Sequence, residues 1–322
     1  MDTATIHPRR LAAALAPLLG LLAVVVIFAL IPPHPPISLL DLRTVAVHAV
    51  LVSTIGLGMT LVVIAGGIDL SVGSMLALAC VISALAARQG WPAPMVVLAG
   101  VATGVLCGAY NGVLIASLRL PAFIVTLGTL GLFRGLGKWI AGPGTVKAPT
   151  QGLDVLMDPT PPHAFWLFAP GVWLTAVLAA LAAFTLHRTV FGRHVVAIGS
   201  NETAARFAAI PLRTRRIQIY ALLGACTGLA GALQFARLTV GDPTVAVGIE
   251  LEVIAAVVIG GASLAGGTGS ILGTLAGAVM MAYLRNRCSA LGWPNFVQEL
   301  IVGHVIIAAV LLDTLRRRRA VP

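Results

Sequence analysis

Val62-Val63-Ile64-Ala65-Gly66-Gly67-Ile68-Asp69-Leu70-Ser71-Val72-Gly73-Ser74 sets one carboxylate and a glycine pair between two apolar runs. The flanking runs predict helices, and Gly66-Gly67 predicts a break between them, because glycine enters backbone regions closed to other residues. A carboxylate at the centre of a spanning helix costs about 3 kcal/mol on insertion scales. Asp69 therefore needs a partner, water or backbone N–H groups freed by the break. Three roles are open to it: capping the next helix with Ser71 nearby, accepting hydrogen bonds from solute hydroxyls, or forming a gate between domains.

The pattern returns later as Val257-Val258-Ile259-Gly260-Gly261-Ala262-Ser263-Leu264, followed by Gly269-Ser270. Two glycine-interrupted apolar segments in one membrane chain point to a solute pathway. Gly66, Gly67, Asp69, Ser71, Gly260 and Gly261 are thus the candidate pathway or helix-break residues. The second copy lacks the acid, so the two breaks are not chemically equivalent.

The bilayer follows from composition. Of 322 residues 58% are hydrophobic and 10% charged, with mean hydropathy +0.99. Soluble domains carry about 25% charged residues. Ala, Leu and Gly dominate, without the short alternating segments of a membrane β-barrel. The expected fold is an all-α polytopic membrane protein, residues 1–322 forming a single transmembrane domain of about ten helices. Their expected positions are 11–31, 44–66, 70–87, 94–117, 121–141, 166–186, 216–237, 248–264, 269–287 and 295–315. The first run is expected to remain as an uncleaved span.

A net charge of +10 raises the question of nucleic acid. However, Arg9-Arg10, the 188–216 stretch and Arg316-Arg317-Arg318-Arg319 hold twelve of the 21 basic residues, all beside apolar runs. That is the positive-inside pattern, not a nucleic-acid surface. It places both termini and the 187–216 connection in the cytoplasm, and the 142–165 connection outside. On this map both glycine breaks fall on the cytoplasmic side, whereas an inverted repeat would separate them. Four isolated cysteines and seven scattered histidines give no metal-site spacing. A phosphate loop, a Gly-x-Ser-x-Gly elbow and a His-Glu-x-x-His pair are also missing from the sequence, so no cofactor, metal or catalysis is expected.

The two long connections carry the remaining candidates. In the inner one, Asn201 or Ser200 can cap a short helix, with Glu202 in its first turn. Ala204, Ala205, Ala208 and Ala209 give a small-residue face, Phe207 and Ile210 add apolar area, and Pro211 stops the run. The outer loop is bounded by Gly142-Pro143-Gly144 and Pro159, Pro161, Pro162. Its length suits docking of an external partner, with Lys147 and Asp154 as candidates. Glu250 and Glu252 begin the eighth apolar run, near the expected outer face, and join the docking candidates. At spacing i, i+2 they point to different sides of a helix. Arg134 and Lys138 are expected to snorkel from the outer end of the fifth run.

Four segments, in order, carry a resemblance: Gly66 to Ser74, Leu120-Pro121-Ala122-Phe123-Ile124-Val125-Thr126-Leu127-Gly128-Thr129, Gly199 to Arg206, and Gly248 to Gly261. With them the chain resembles permease subunits of bacterial ABC sugar importers of the ribose type. The resemblance implies a multi-pass protein of the bacterial inner membrane that moves a monosaccharide or sugar-like solute. It implies a second permease copy or paralogue, surrounding lipid, a periplasmic sugar-binding protein and a cytoplasmic ABC ATPase that supplies the energy. It also implies that Asn201, Glu202, Ala204, Ala205, Arg206 and Phe207 form the helix coupled to that ATPase. The rival reading is a self-sufficient secondary transporter or channel, for which Asp69 is the one plausible ion-handling acid.

Overall fold

The computed structural model describes residues 8–31, 37–160 and 167–318. Among them the chain forms twelve α-helices: α1 (Pro8–Ala29), α2 (Leu39–Ile64), α3 (Val72–Arg88), α4 (Ala93–Leu118), α5 (Ala122–Ala141), α6 (Pro170–Arg188), α7 (Val190–Ser200), α8 (Glu202–Phe207), α9 (Leu212–Leu238), α10 (Ile249–Ile259), α11 (Ile271–Ala290) and α12 (Asn295–Arg318). Two short strands, β1 (Val146–Lys147) and β2 (Val240–Gly241), pair antiparallel with Val146 opposite Gly241. Each expected apolar run coincides with a helix. Five of these helices, α2, α4, α5, α6 and α9, are long and apolar enough to cross a membrane.

α2 is the central post. Ser38 and Asp41 start it with a reciprocal capping box, Ser38 Oγ accepting from the Asp41 N–H at 3.0 Å. From Ala49 to Ile64 every residue is buried. That matches a helix that is apolar all round. Buried hydroxyls tie it to neighbours: Thr60 to Thr274 of α11 at 2.7 Å, and Thr54 to Thr175 of α6 at 3.2 Å.

α4 and α9 pack backbone to backbone. A Cβ on Gly104 would sit 2.0 Å from the Gly224 carbonyl oxygen, and one on Gly224 would sit 2.1 Å from that of Gly104. Gly100, Gly104 and Gly108 thus form one strip of a small-xxx-small interface. The outer faces of α4, α5 and α6 leave Leu106, Trp139 and Phe184 exposed, as surfaces facing lipid or another chain do.

One expected span is corrected. The run 248–264 holds only the 11-residue α10. At 1.5 Å per residue it rises about 16 Å, half a hydrocarbon core. The chain reaches it by a run of turns over 243–248, with Ala246 and Gly248 left-handed. Gly241 lies against Val81 and Ala84 late in α3, whereas the Ala246 carbonyl and the Glu250 carboxylate stand against Gly73 at its start. Arg134 of α5 holds this descent, donating to the Pro243 and Val245 carbonyls at 2.8 and 2.7 Å. The expected snorkel of Arg134 is therefore replaced by an inward tether: a guanidinium satisfies carbonyls that no helix pairs.

Candidate functional site

The two sequence echoes fold into the same end structure. After α2, Gly66 takes φ +79°, with its N–H on the Val63 carbonyl and the Gly67 N–H on that of Val62, both at 2.9 Å. After α10, Gly261 takes φ +94°, its N–H on the Val258 carbonyl at 2.9 Å and the Ala262 N–H on that of Val257 at 3.1 Å. Both are Schellman endings, which need a left-handed residue just past the helix.

The breaks then meet. The Gly267 N–H donates to the Ile64 carbonyl at 2.8 Å, so the loop after α10 satisfies an orphan acceptor at the end of α2. Gly199, near the end of α7, lies over this bond. A Cβ there would fall 1.7 Å from the Ile64 oxygen and 2.7 Å from the Gly267 nitrogen. Three chain segments, distant in sequence, converge on one backbone hydrogen bond. Both breaks thus lie at the same end of the bundle as the 187–216 connection.

Asp69 is fully buried. Its Oδ1 accepts from the Ser71 N–H at 2.7 Å and the Ser71 hydroxyl at 2.6 Å, and its Oδ2 accepts from Asn111 Nδ2 of α4 at 3.1 Å. The same Asn111 nitrogen donates to Ser71 Oγ at 2.9 Å. The expected cap is shifted by two residues: the N-cap of α3 is Ser71, and Asp69 orders the turn before it. The carboxylate is held by three donors, with no ion pair to it among the described residues.

In the inner connection, Asn201 caps α8 through Oδ1, which accepts from the Ala204 N–H at 2.9 Å. The helix is shorter than expected, ending at Phe207, because Ala209 turns left-handed at φ +55° and the Ile210 N–H returns to the Ala205 carbonyl. Ala205 is the buried contact, while Ala204, Arg206 and Phe207 face outward, with Phe207 87% exposed. Glu202 pairs with Arg216 of α9 at 2.5 Å and with Arg206 at 3.5 Å. Arg215 ties α7 to α9, donating to His194 Nδ1 at 3.0 Å with its guanidinium near the Phe191 ring. Some of the basic flank is thus structural.

The four docking candidates are not brought together. Lys147 in β1 and Asp154 in the short 3₁₀ turn Leu153–Leu156 are exposed near the α9 C-terminus. Glu250 and Glu252 lie within the bundle, a correction to their expected place at the outer face. Glu250 stands beside Gly73, and buried Glu252 forms an ion pair with Arg285 of α11. The reason is the run of turns before α10, which carries the chain from the late part of α3 back to its start. They do point to different sides of the helix, as their spacing requires. Arg134, Asn111 and Gly199 are the site residues that motif reading underrated. The available signals were a charged side chain inside an apolar run and a glycine beside a cap.

A family profile described as branched-chain amino acid transport system / permease component matches residues 42–310. The chain is 38% identical to the ribose import permease protein of Bacillus subtilis, over 93% of this chain and 92% of that one. It is 34% identical to the autoinducer 2 import system permease protein of Escherichia coli, over 91% and 85%. It is 33% identical to the L-arabinose ABC transporter permease protein of Azospirillum brasilense, over 87% and 81%. No solved structure matches it.

Proposed function

The chain belongs to the family of branched-chain amino acid transport system permease components, and on that footing we propose how it works as the membrane subunit of a sugar importer. It supplies the pathway for a monosaccharide or sugar-like solute, and a separate ATPase supplies the energy. Ten spans with both termini in the cytoplasm complete the topology, α10 crossing together with the turns before it. A second permease copy or paralogue packs against it.

The observation that carries the mechanism is the Gly199–Ile64–Gly267 junction. α8 is the coupling helix: a six-residue knob with an exposed phenylalanine and one buried alanine suits a groove on a partner. Closure of the ATPase pair pushes α8. The push passes through α7 to the contact where the α2 and α10 breaks are joined. Shifting that contact moves two glycine hinges together, and alternating access needs such an element with two discrete arrangements. Asp69, sealed and fully bonded, holds the first hinge rather than touching solute. Lys147 and Asp154 form the outer docking surface for a sugar-binding protein, and replacing both should weaken that protein's affinity in a pull-down titration.

The decisive experiment is sugar uptake in proteoliposomes containing this chain, its ATPase and its binding protein, with each omitted in turn. Uptake should need all three. Uptake by this chain alone would instead establish a carrier or channel. Within the complete system, Glu202→Lys breaks the contacts with Arg216 and Arg206. ATP hydrolysis should then become largely independent of the binding protein and uptake should fall at least tenfold, with membrane insertion unchanged. Normal coupled uptake would remove α8 from the coupling path.

A further inference from the structure

A cavity of about 600 Å³ opens beside the first break, between the α4–α5 elbow, α8 and the start of α9. Four arginines line it, Arg119, Arg206, Arg213 and Arg216, against the single acid Glu202. Glu202 already pairs with Arg206 and Arg216. Arg119 and Arg213 are exposed and have no ion pair among the described residues. Arg119 ends α4 in the left-handed region, φ +55°. Tyr220, deep in the same lining, is 4% exposed and its hydroxyl has no hydrogen-bond partner among the described residues.

We propose that this cavity is a binding site for a phosphate group, with Arg119 and Arg213 as its main ligands. Guanidinium forks match phosphate oxygens in pairs, and a cluster of them in a concave wall focuses positive potential. The lining also holds apolar side chains, buried Ile115 and Ile219 and exposed Leu120. Arginines beside apolar side chains suit an anionic phospholipid headgroup with the start of its chains. A soluble phosphate ester offers the same head chemistry. An occupant would also compete with Glu202 for Arg206 and Arg216, so occupancy would loosen α8 from α9. This consequence rests on the coupling reading, whereas binding itself does not.

The test uses the full chain, purified, delipidated and titrated with phosphatidylglycerol or phosphatidylcholine in native mass spectrometry. A parallel arm titrates inorganic phosphate and follows thermal unfolding. The wild type should hold phosphatidylglycerol in preference to phosphatidylcholine, and added salt should weaken the preference. Arg119→Gln with Arg213→Gln should lower phosphatidylglycerol affinity about thirtyfold, given the usual contribution of each cation near an anionic headgroup. Arg119→Lys with Arg213→Lys keeps the charge but not the fork and should recover only part of it, which separates loss of charge from damage to the fold. If inorganic phosphate raises the unfolding temperature in the wild type but not in the Gln variant, and lipid shows no preference, the occupant is a soluble phosphate. Equal binding of both lipids by all variants, with no response to phosphate, would overturn the proposal. So would a Gln variant that loses only ATPase binding, since the arginines would then serve a protein interface.

Discussion

The breaks at 62–71 and 257–270 share a backbone and differ in what holds them. Both close a helix with the same pair of hydrogen bonds around a left-handed glycine. The first then carries Asp69, bonded to Ser71 and to Asn111 of α4. The second has Leu264 near the equivalent place and packs α10 tightly against α11, where a Cβ on Gly273 would lie 1.8 Å from the Gly260 oxygen. One hinge is fixed by side-chain bonds to a neighbouring helix, the other by close backbone packing together with backbone hydrogen bonds such as Gly267 to Ile64. A polar lock fails when one partner is removed, because buried donors lose their acceptor. A steric lock fails when bulk is added.

The largest effect should come from a change that strikes both hinges. Gly199→Ala puts a methyl group 1.7 Å from the Ile64 oxygen. Backbone surrounds it, so relief requires breaking the Gly267–Ile64 bond and parting the two breaks. Overpacking plus a lost bond amounts to about 3 kcal/mol or more. Folded yield, followed by size-exclusion of the solubilised protein, should drop severalfold, and uptake by the surviving protein should approach background. Wild-type yield with normal uptake would show that the three segments do not meet.

Asp69→Ala breaks only the polar lock. It strands the Ser71 N–H and hydroxyl and leaves the Asn111 amide only its bond to Ser71 Oγ, a cost of about 2–3 kcal/mol. Asp69→Asn keeps the shape and one acceptor, and should fall between wild type and Ala. Leu264→Ala trims a half-buried side chain at the second break and should cost about 1–2 kcal/mol. Thermal unfolding ranks the three. If Asp69→Ala unfolds like wild type while uptake alone collapses, the carboxylate serves solute instead, and the contrast between the hinges becomes one of function.

Much of the fold was legible because a bilayer allows few solutions. Long apolar runs must be helices, so the ten runs landed on helices, and Gly66 and Gly261 stood where helices ended. The junction between the breaks was not legible. It depends on Gly199 and Gly267, which look like loop glycines until tertiary packing brings the Ile64 carbonyl between them. Glu250 and Glu252 were misplaced for a related reason. An apolar run reports burial, not depth, so residues 242–248 read as an outer loop although Arg134 draws them inward. Asn201 and Glu202 were legible because capping is local, whereas the pairing of Glu202 with Arg216 across two helices was not.

The smallest effect tests whether the hinges are alike at their turning points. Gly66 and Gly261 both have positive φ, and neither would place a Cβ within 4 Å of another atom. Replacing either with alanine therefore introduces conformational strain without a clash, roughly 1–2 kcal/mol. The two single variants should lower thermal stability by matching amounts, and the double variant should lose about their sum only if the hinges act independently. They are joined through Gly267 and Ile64, so a departure from additivity is expected, with the second substitution costing less than the first. Strict additivity would mean that each Schellman turn relaxes on its own, and the junction would then be a contact rather than a linkage. Unequal single effects would break the comparison differently, by showing that the Asp69 network or the α10–α11 packing already constrains one turn more than the other.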